Sequence, residues 1–337
     1  MSSSRIFITG ATGFIGSQVA AFTLRAGHPV RLSVRSEVQI QLLKSRFAEH
    51  ARQLEFVVIT DLSNSDAIKK ALEGVEYIFH LASPMAGSGS DFKTGYVDPA
   101  VKGTVSVLDA AAATPAVKRV VVVSSGFAFM PMGGFAMPGL KVYDAENSNR
   151  SIEVDMNMEF PEDFIGHTLK YQASKILAHR ATLDWVAETI PSFDLITLHP
   201  SFVVGEDLTQ VDETPKGVNG LFVNSLLSDK PIIPSAFVDV RDVAIAHLKA
   251  LTAPVGPRGT VTEAIIDGPK LDWDTVVKFV AKNYPEFPLK LSGPFPEGVT
   301  MDNSRAEREF GIKWHSSEET IRSVLDQQAK LKKKASL

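Results

Sequence analysis

The stretch 5-RIFITGATGFIGSQVAAFTLRAG-27 decides how the rest of the chain is read. It opens with a short β-rich run, turns at glycines, and passes at Phe14 into helical periodicity. Gly10, Gly13 and Gly16 stand at three-residue intervals across that junction. Glycine permits a tight turn, lets backbone N–H groups come close to a bound group, and lets a helix pack hard against its strand. The helix N-terminus adds partial positive charge that favours an anion. Three glycines alone carry little weight. Placed between the strand and helix of a βαβ unit, they form the context that cradles a pyrophosphate, with Thr9, Thr12, Phe14 and Ile15 completing the turn.

Outward from this unit the pattern repeats. HPVRLSV (28–34), LEFVVIT (54–60), VEYIFHLA (75–82) and VKRVVVVSS (117–125) alternate with helical segments. Five strands joined by crossover-length helices predict an α/β fold, a doubly wound parallel sheet with helices on both faces. Val120 to Val123 is apolar at every position, as in a strand covered on both sides. Residues 126–160 interrupt the rhythm. Beyond them the sequence predicts a helix around 168–181, a strand at FDLITLHP (193–200), a helix in FVDVRDVAIAHLKAL (237–251), a strand at GTVTEAIID (259–267), a helix in LDWDTVVKFVAKNY (271–284) and two terminal helices. The expected organisation is a Rossmann domain over 1–199, carrying 126–160 as an insertion. Residues 200–337 then form mainly a smaller mixed α/β substrate lobe, with 236–268 returning to the first domain.

Composition narrows the function. The chain has 337 residues, 44% hydrophobic and 22% charged, enough for a large core. A net charge of −4 gives nucleic acid no basic surface, and Lys332, Lys333 and Lys334 are read as a solvated tail. The absence of cysteine excludes disulfides and thiolate chemistry. The uncharged stretch 120–140 is long enough for a bilayer, but Pro131, Pro138 and its glycines would break such a helix. With only four residues ahead of the first apolar run, no leader is expected, and the cytoplasm is the expected location. The eight histidines are scattered without ligand spacing, so no metal is expected.

The second strand ends 30-VRLSVRS-36, where an acidic residue usually meets a free ribose 2′-hydroxyl. Here Arg35 and Ser36 stand instead, with Lys44 beyond. A guanidinium matches a phosphate in charge and shape, so NADP(H) is favoured over NAD(H), against the reading of Arg35 as an exposed strand-end arginine. Asp61 and Leu62 follow the third strand, and His80, Leu81, Ala82 and Ser83 follow the fourth; these loops should line the adenosine and ribose path. His80 is read first as a satisfied core histidine. In 168-TLKYQASKILAHR-180, Tyr171 and Lys175 sit one helical turn apart. A lysine cation beside a phenol would lower its pKa and make it an adjustable proton donor. A third group should hold the substrate oxygen at the end of the fifth strand, and Ser124 and Ser125 are the candidates. Asp239, Arg241 and Asp242 are read as helix-capping residues.

With these motifs in place, the sequence resembles the extended branch of the short-chain dehydrogenase/reductase superfamily, in its dihydroflavonol reductase-like group, which includes fungal aldehyde and ketone reductases. The likeness covers about 1–325 and rests on TGATGFIG, VRS, DL, HLASP, VVVSS, YQASK, HPSFVVG and FVDVRDVA. It implies Ser125, Tyr171 and Lys175 as the catalytic set, Pro200, Ser201, Phe202 and Val203 as the loop packing the nicotinamide, and NADPH as cofactor. The group's flavonoid-reducing members carry an asparagine where this chain has Met130, which counts against a flavonoid. The run 126-GFAFMPMGGFAMPGL-140, with Phe127, Met130 and Phe135, and Phe202 from the later loop, are the expected substrate pocket. A hydrophobic cover or a dimer contact remains open for that run. The expected activity is NADPH-dependent reduction of an apolar, aromatic or polyketide-like ketone or aldehyde by a monomer or homodimer, with no nucleic acid or membrane partner. An epimerase or dehydratase without net redox change, or a non-catalytic NADP-sensing protein, are the alternatives.

Overall fold

The computed structural model describes residues 4–83, 91–143 and 148–335. Pro84 of the HLASP motif and part of the 126–160 insertion lie outside the described residues. In chain order the strands are β1 (Ile6–Thr9), β2 (Val30–Val34), β3 (Leu54–Val58), β4 (Tyr77–His80), β5 (Arg119–Val123), β6 (Lys141–Val142), β7 (Asp194–Pro200), β8 (Phe202–Val204), β9 (Phe237–Asp239), β10 (Val261–Ile266) and β11 (Thr300–Met301). The helices are α1 (Phe14–Arg25), α2 (Glu37–Arg46), α3 (Ser65–Ala71), α4 (Asp98–Ala112), α5 (Phe164–Thr189), α6 (Gly217–Leu226), α7 (Val240–Ala250), α8 (Trp273–Asn283), α9 (Ser304–Phe310) and α10 (Ser317–Ala335).

Seven strands form one sheet in the order β10-β7-β5-β4-β1-β2-β3, and every pair in it is parallel. The chain runs outward from β1 through β2 to β3, then returns to β4 and proceeds the other way. The switch point therefore lies between β1 and β4, where the carboxyl ends of an open α/β sheet leave a crevice for ligand. Alternation along the strands feeds a core on each face. Ile6 and Ile8 pack toward Val19, Leu24, Val243 and Ala246 of α1 and α7, while Phe7 between them packs with Ile68, Val107 and Leu183 of α3, α4 and α5. Val121 and its neighbours Val120 and Val122 divide in the same way. Burying one such side chain contributes on the order of 1.5–3 kcal/mol, so a register slip that turned β1 over would forfeit several at once.

A third core, with Phe222, Trp273, Val276, Phe279 and Ile321, knits α6, α8 and α10 together over the two-stranded β8-β9 ladder. Two pairings depart from the expected elements. Phe237–Asp239 is strand β9, not helix; α7 begins after Asp239, whose side chain caps it by accepting from the Arg241 N–H at 2.8 Å. The parallel β6-β11 pair, two residues a side, joins the insertion to the last third of the chain. Strands this short carry no readable periodicity. Lys332, Lys333 and Lys334 lie exposed in the last turn of α10. Among the described residues no helix is long and apolar enough to cross a membrane, and 120–140 folds as β5 followed by short turns.

Candidate active site

At the switch point the glycine turn closes on the loop after β4. Gly10 has φ +77°, and a Cβ there would stand 2.7 Å from the Ala82 nitrogen. A Cβ on Gly16 would lie 2.1 Å from the Gly10 carbonyl oxygen, so helix and turn touch backbone to backbone. Gly13 is the N-cap of α1 with no side-chain hydrogen bond, which leaves the helix's first N–H groups to an anion. Thr9 is fully buried: its Oγ accepts from the Leu81 and Ala82 N–H groups, both at 3.1 Å, so its own O–H donates to His80 Nδ1 at 2.8 Å. The Thr9 hydroxyl is thus committed to joining the two loops. His80 is a satisfied buried histidine, its pKa brought down to about 4 by burial and then by the charge of Lys175. Thr12 is half-exposed at the turn and Gly13 exposed, while Phe14 and Ile15 lean into the core of that face.

Arg35 and Ser36 are exposed at the end of β2, where the Arg35 N–H donates to Gln39 Oε1 at 2.7 Å. Among the described residues neither the Arg35 guanidinium nor Lys44 forms an ion pair, and Lys44 Nζ lies 5.9 Å from the centre of the Phe56 ring. Both side chains are exposed, Arg35 at the carboxyl end of β2 and Lys44 in the last turn of α2. Asp61 is exposed, its carboxylate held below the ordinary range by the Ser63 N–H and O–H. Leu62 packs under it on the α3–α4 side.

Helix α5 carries the expected catalytic pair and is started by Asp163, which accepts from the Gly166 N–H at 2.9 Å. Tyr171 and Lys175 share its inner stripe. Lys175 Nζ lies 5.4 Å from the centre of the Tyr171 ring and donates to Ser83 Oγ at 2.8 Å. Here the structure corrects the expectation of a lysine-lowered phenol. Burial pushes Tyr171 up to about 12 and Lys175 down to about 8. Lys175, Ser83 and Ser124 line one small cavity of about 20 Å³ together with His80, His179 and Thr197. Ser125 caps the tight turn 126–129, its Oγ accepting from the Phe127 N–H at 3.2 Å.

Pro200 is buried at the end of β7, and the loop after it is held by backbone bonds from Ser201 N to Ile266 O (3.1 Å) and from Phe202 N to Ala236 O (3.0 Å). Val203 is buried beyond it. Asp267 flanks Ser201, its carboxyl raised to about 7 by burial. Around the phenol, Phe127 lies 6.1 Å from the Tyr171 ring, 5.4 Å from Phe135 and 5.8 Å from Phe202, centre to centre. Met130, the fourth expected pocket residue, belongs to the same apolar cluster but is 1% exposed and lies close against Gly134. The same apolar cluster takes Ala236, Ile265, Val299 and Met301 from far along the chain. Nothing in their sequence neighbourhood marks them for this place.

Scattered in sequence, His179, His199 and Glu263 converge in the interior, contrary to the spacing argument. His179 Nε2 lies 2.5 Å from Glu263 Oε1, and His199 Nε2 lies 2.9 Å from Thr197 Oγ. The ring nitrogens facing their partners are engaged in hydrogen bonds. A triplet drawn from α5, β7 and β10 cannot be seen in linear spacing.

A glycine-turned phosphate cradle, a Tyr-Lys helix and a strand-end serine at one sheet rim define the short-chain dehydrogenase/reductase class. Residues 6–262 match the NAD dependent epimerase/dehydratase family, and the chain belongs to it. It is 34% identical to the ketoreductase SphI of Aspergillus fumigatus over 97% of this chain and 98% of that protein, and 29% identical to aldehyde reductase 2 of Sporidiobolus salmonicolor over 96% and 95%. Its fold superposes with a TM-score of 0.82 on yeast methylglyoxal/isovaleraldehyde reductase Gre2 complexed with NADPH, at 25% identity, covering 98% of this chain and 99% of that one.

Proposed function

We propose that this protein is an NADPH-dependent carbonyl reductase acting on an apolar ketone or aldehyde, with Ser125, Tyr171 and Lys175 at the reacting end. The observation that carries the reading is the gathering of the phenol and the ammonium beneath Phe127, Phe135 and Phe202, at the rim where the glycine cradle opens. The cradle's fit to a dinucleotide rests on the backbone contact at Gly16 and the uncapped N-terminus of α1. Arg35, Ser36 and Lys44 would hold a 2′-phosphate, Ser83 and Lys175 the ribose nearer the reaction, and Pro200, Ser201 and Val203 the nicotinamide. NADPH, when bound, supplies hydride to the carbonyl carbon.

The chain's own residues manage the oxygen. The Ser125 oxygen already accepts from Phe127, so its O–H is left to donate to the substrate. Tyr171, with its pKa pushed up to about 12, is fully protonated at neutral pH. It can give its proton to the alkoxide that hydride transfer leaves, which is basic enough to receive it. Lys175 steadies the phenolate left behind. The aromatic wall excludes water and selects apolar substrates. The test is NADPH consumption over a panel of ketones and aldehydes graded in polarity, with NADH beside it. Turnover that rises with apolar surface and prefers NADPH is expected; indifference to both would overturn the reading.

A further inference from the structure

The buried triplet behind the serine has a geometry that the reaction does not yet use. His199 Nδ1 lies 3.1 Å from the carbonyl oxygen of Ser125. A carbonyl can only accept, so Nδ1 must carry the hydrogen, and in a neutral ring Nε2 is then the acceptor. Thr197 Oγ, at 2.9 Å from Nε2, supplies the matching O–H. The tautomer is fixed from both sides. Burial, then the charge of His179 and that of Lys175, hold the ring well below the ordinary histidine pKa, so it stays neutral. His179 is itself paired with Glu263, and Phe129, from the turn that Ser125 caps, lies with its ring centre 4.3 Å from that of His199.

We infer that His199 is a positioning residue for Ser125: its Nδ1–H anchors the serine's carbonyl, and so sets the direction in which the serine hydroxyl meets the substrate oxygen. This rests on the role given to Ser125 above. The backbone on either side fits such an anchor. Ser124 N–H donates to Leu198 O at 2.8 Å, and the Met301 methyl lies close over Gly126, 2.7 Å from where a Cβ would stand. The His199 anchor thus joins two other side-chain links in this turn, the Ser125 Oγ cap on Phe127 N–H and the Gln172 Nε2 bond to Met130 O.

The experiment compares two amides. In His199→Asn the side-chain nitrogen sits as many bonds from Cα as Nδ1 and can still reach the carbonyl; in His199→Gln it sits one bond further. Asparagine is expected to keep kcat within about 3-fold of the parent. Glutamine should lower kcat about 30-fold, with KM and NADPH affinity by fluorescence titration unchanged, a fraction of the 10²- to 10³-fold that removing an oxyanion donor costs. On a Ser125→Ala background the glutamine change should cost nothing more, because the hydroxyl it steers is gone. Equal losses for the two amides, or a glutamine loss that persists undiminished in Ser125→Ala, would overturn the proposal. Should His199→Gln lose NADPH binding, Thr197→Val replaces it in the same cycle, with an expected loss of about 5-fold that vanishes on Ser125→Ala; its persistence there overturns the proposal equally. Wild-type turnover of Ser125→Ala alone would instead sink the serine role on which the inference stands.

Discussion

The two ends of the crevice are assembled by opposite means. At the nucleotide end, the glycine turn, the first turn of α1 and the strand end carrying Arg35 all come from 27 consecutive residues, 9–35, on which the Leu81–Ala82 loop closes. Its shape is made by backbone, as the 2.1 Å approach at Gly16 shows. At the reacting end, Ser125, Tyr171, Phe202 and Met301 arrive from four distant segments, and their shape is made by side chains. A backbone cradle recognises what all dinucleotides share; a side-chain wall can change without disturbing it.

The sharpest break in that comparison is Tyr171→Phe. If Tyr171 gives the proton as proposed, its loss should lower kcat by about 10²- to 10⁴-fold while NADPH binding, followed by fluorescence titration, stays within about 2-fold, because general acid catalysis is worth that range. A parallel loss of both would mean that the two ends are not separable. Next in size, Arg35→Ala should weaken NADPH about 10- to 100-fold, as loss of a charge-assisted contact does, and leave NADH nearly unaffected in the same titration. Equal weakening would place the arginine outside phosphate recognition.

The smallest effect concerns the buried ammonium. Lys175 is lowered by burial to about 8, against 10.5 when unfolded. Between those values the unfolded chain binds more protons, so stability rises with pH across that window, and below about 8 the full penalty of a buried charge is present. Lys175→Met should therefore raise the thermal midpoint of the cofactor-free protein at pH 7 and flatten its rise between pH 8 and 10, against a kcat loss in the same variant. Melting curves at pH 7 and 10 decide it, and an unchanged pH slope would reject the assignment.

Legibility follows the same division. The parallel sheet could be read because each long strand carries its own apolar signal, Val120 to Val123 most plainly, and each crossover helix its own period. The glycine turn was legible because its function is local. Tyr171 and Lys175 were visible as a helical pair, but not the sign of their pKa shifts, which depends on how deeply α5 is covered by residues far away. The burial of Met130, the arrival of Met301 and the convergence of His179, His199 and Glu263 could not be read at all. They are products of strand order, and β7 and β10 become neighbours only once the sheet exists.

The β6-β11 ladder has a practical meaning for anyone wishing to redesign specificity. Lys141–Val142 and Thr300–Met301 pair across a gap of more than 150 positions, and Met301 fills the space above Gly126. Transplanting the glycine- and phenylalanine-rich segment from a relative would therefore deliver only half of a module. A chimera that exchanges 126–143 together with 299–301 carries the matched halves across, and leaves the nucleotide cradle of the recipient untouched.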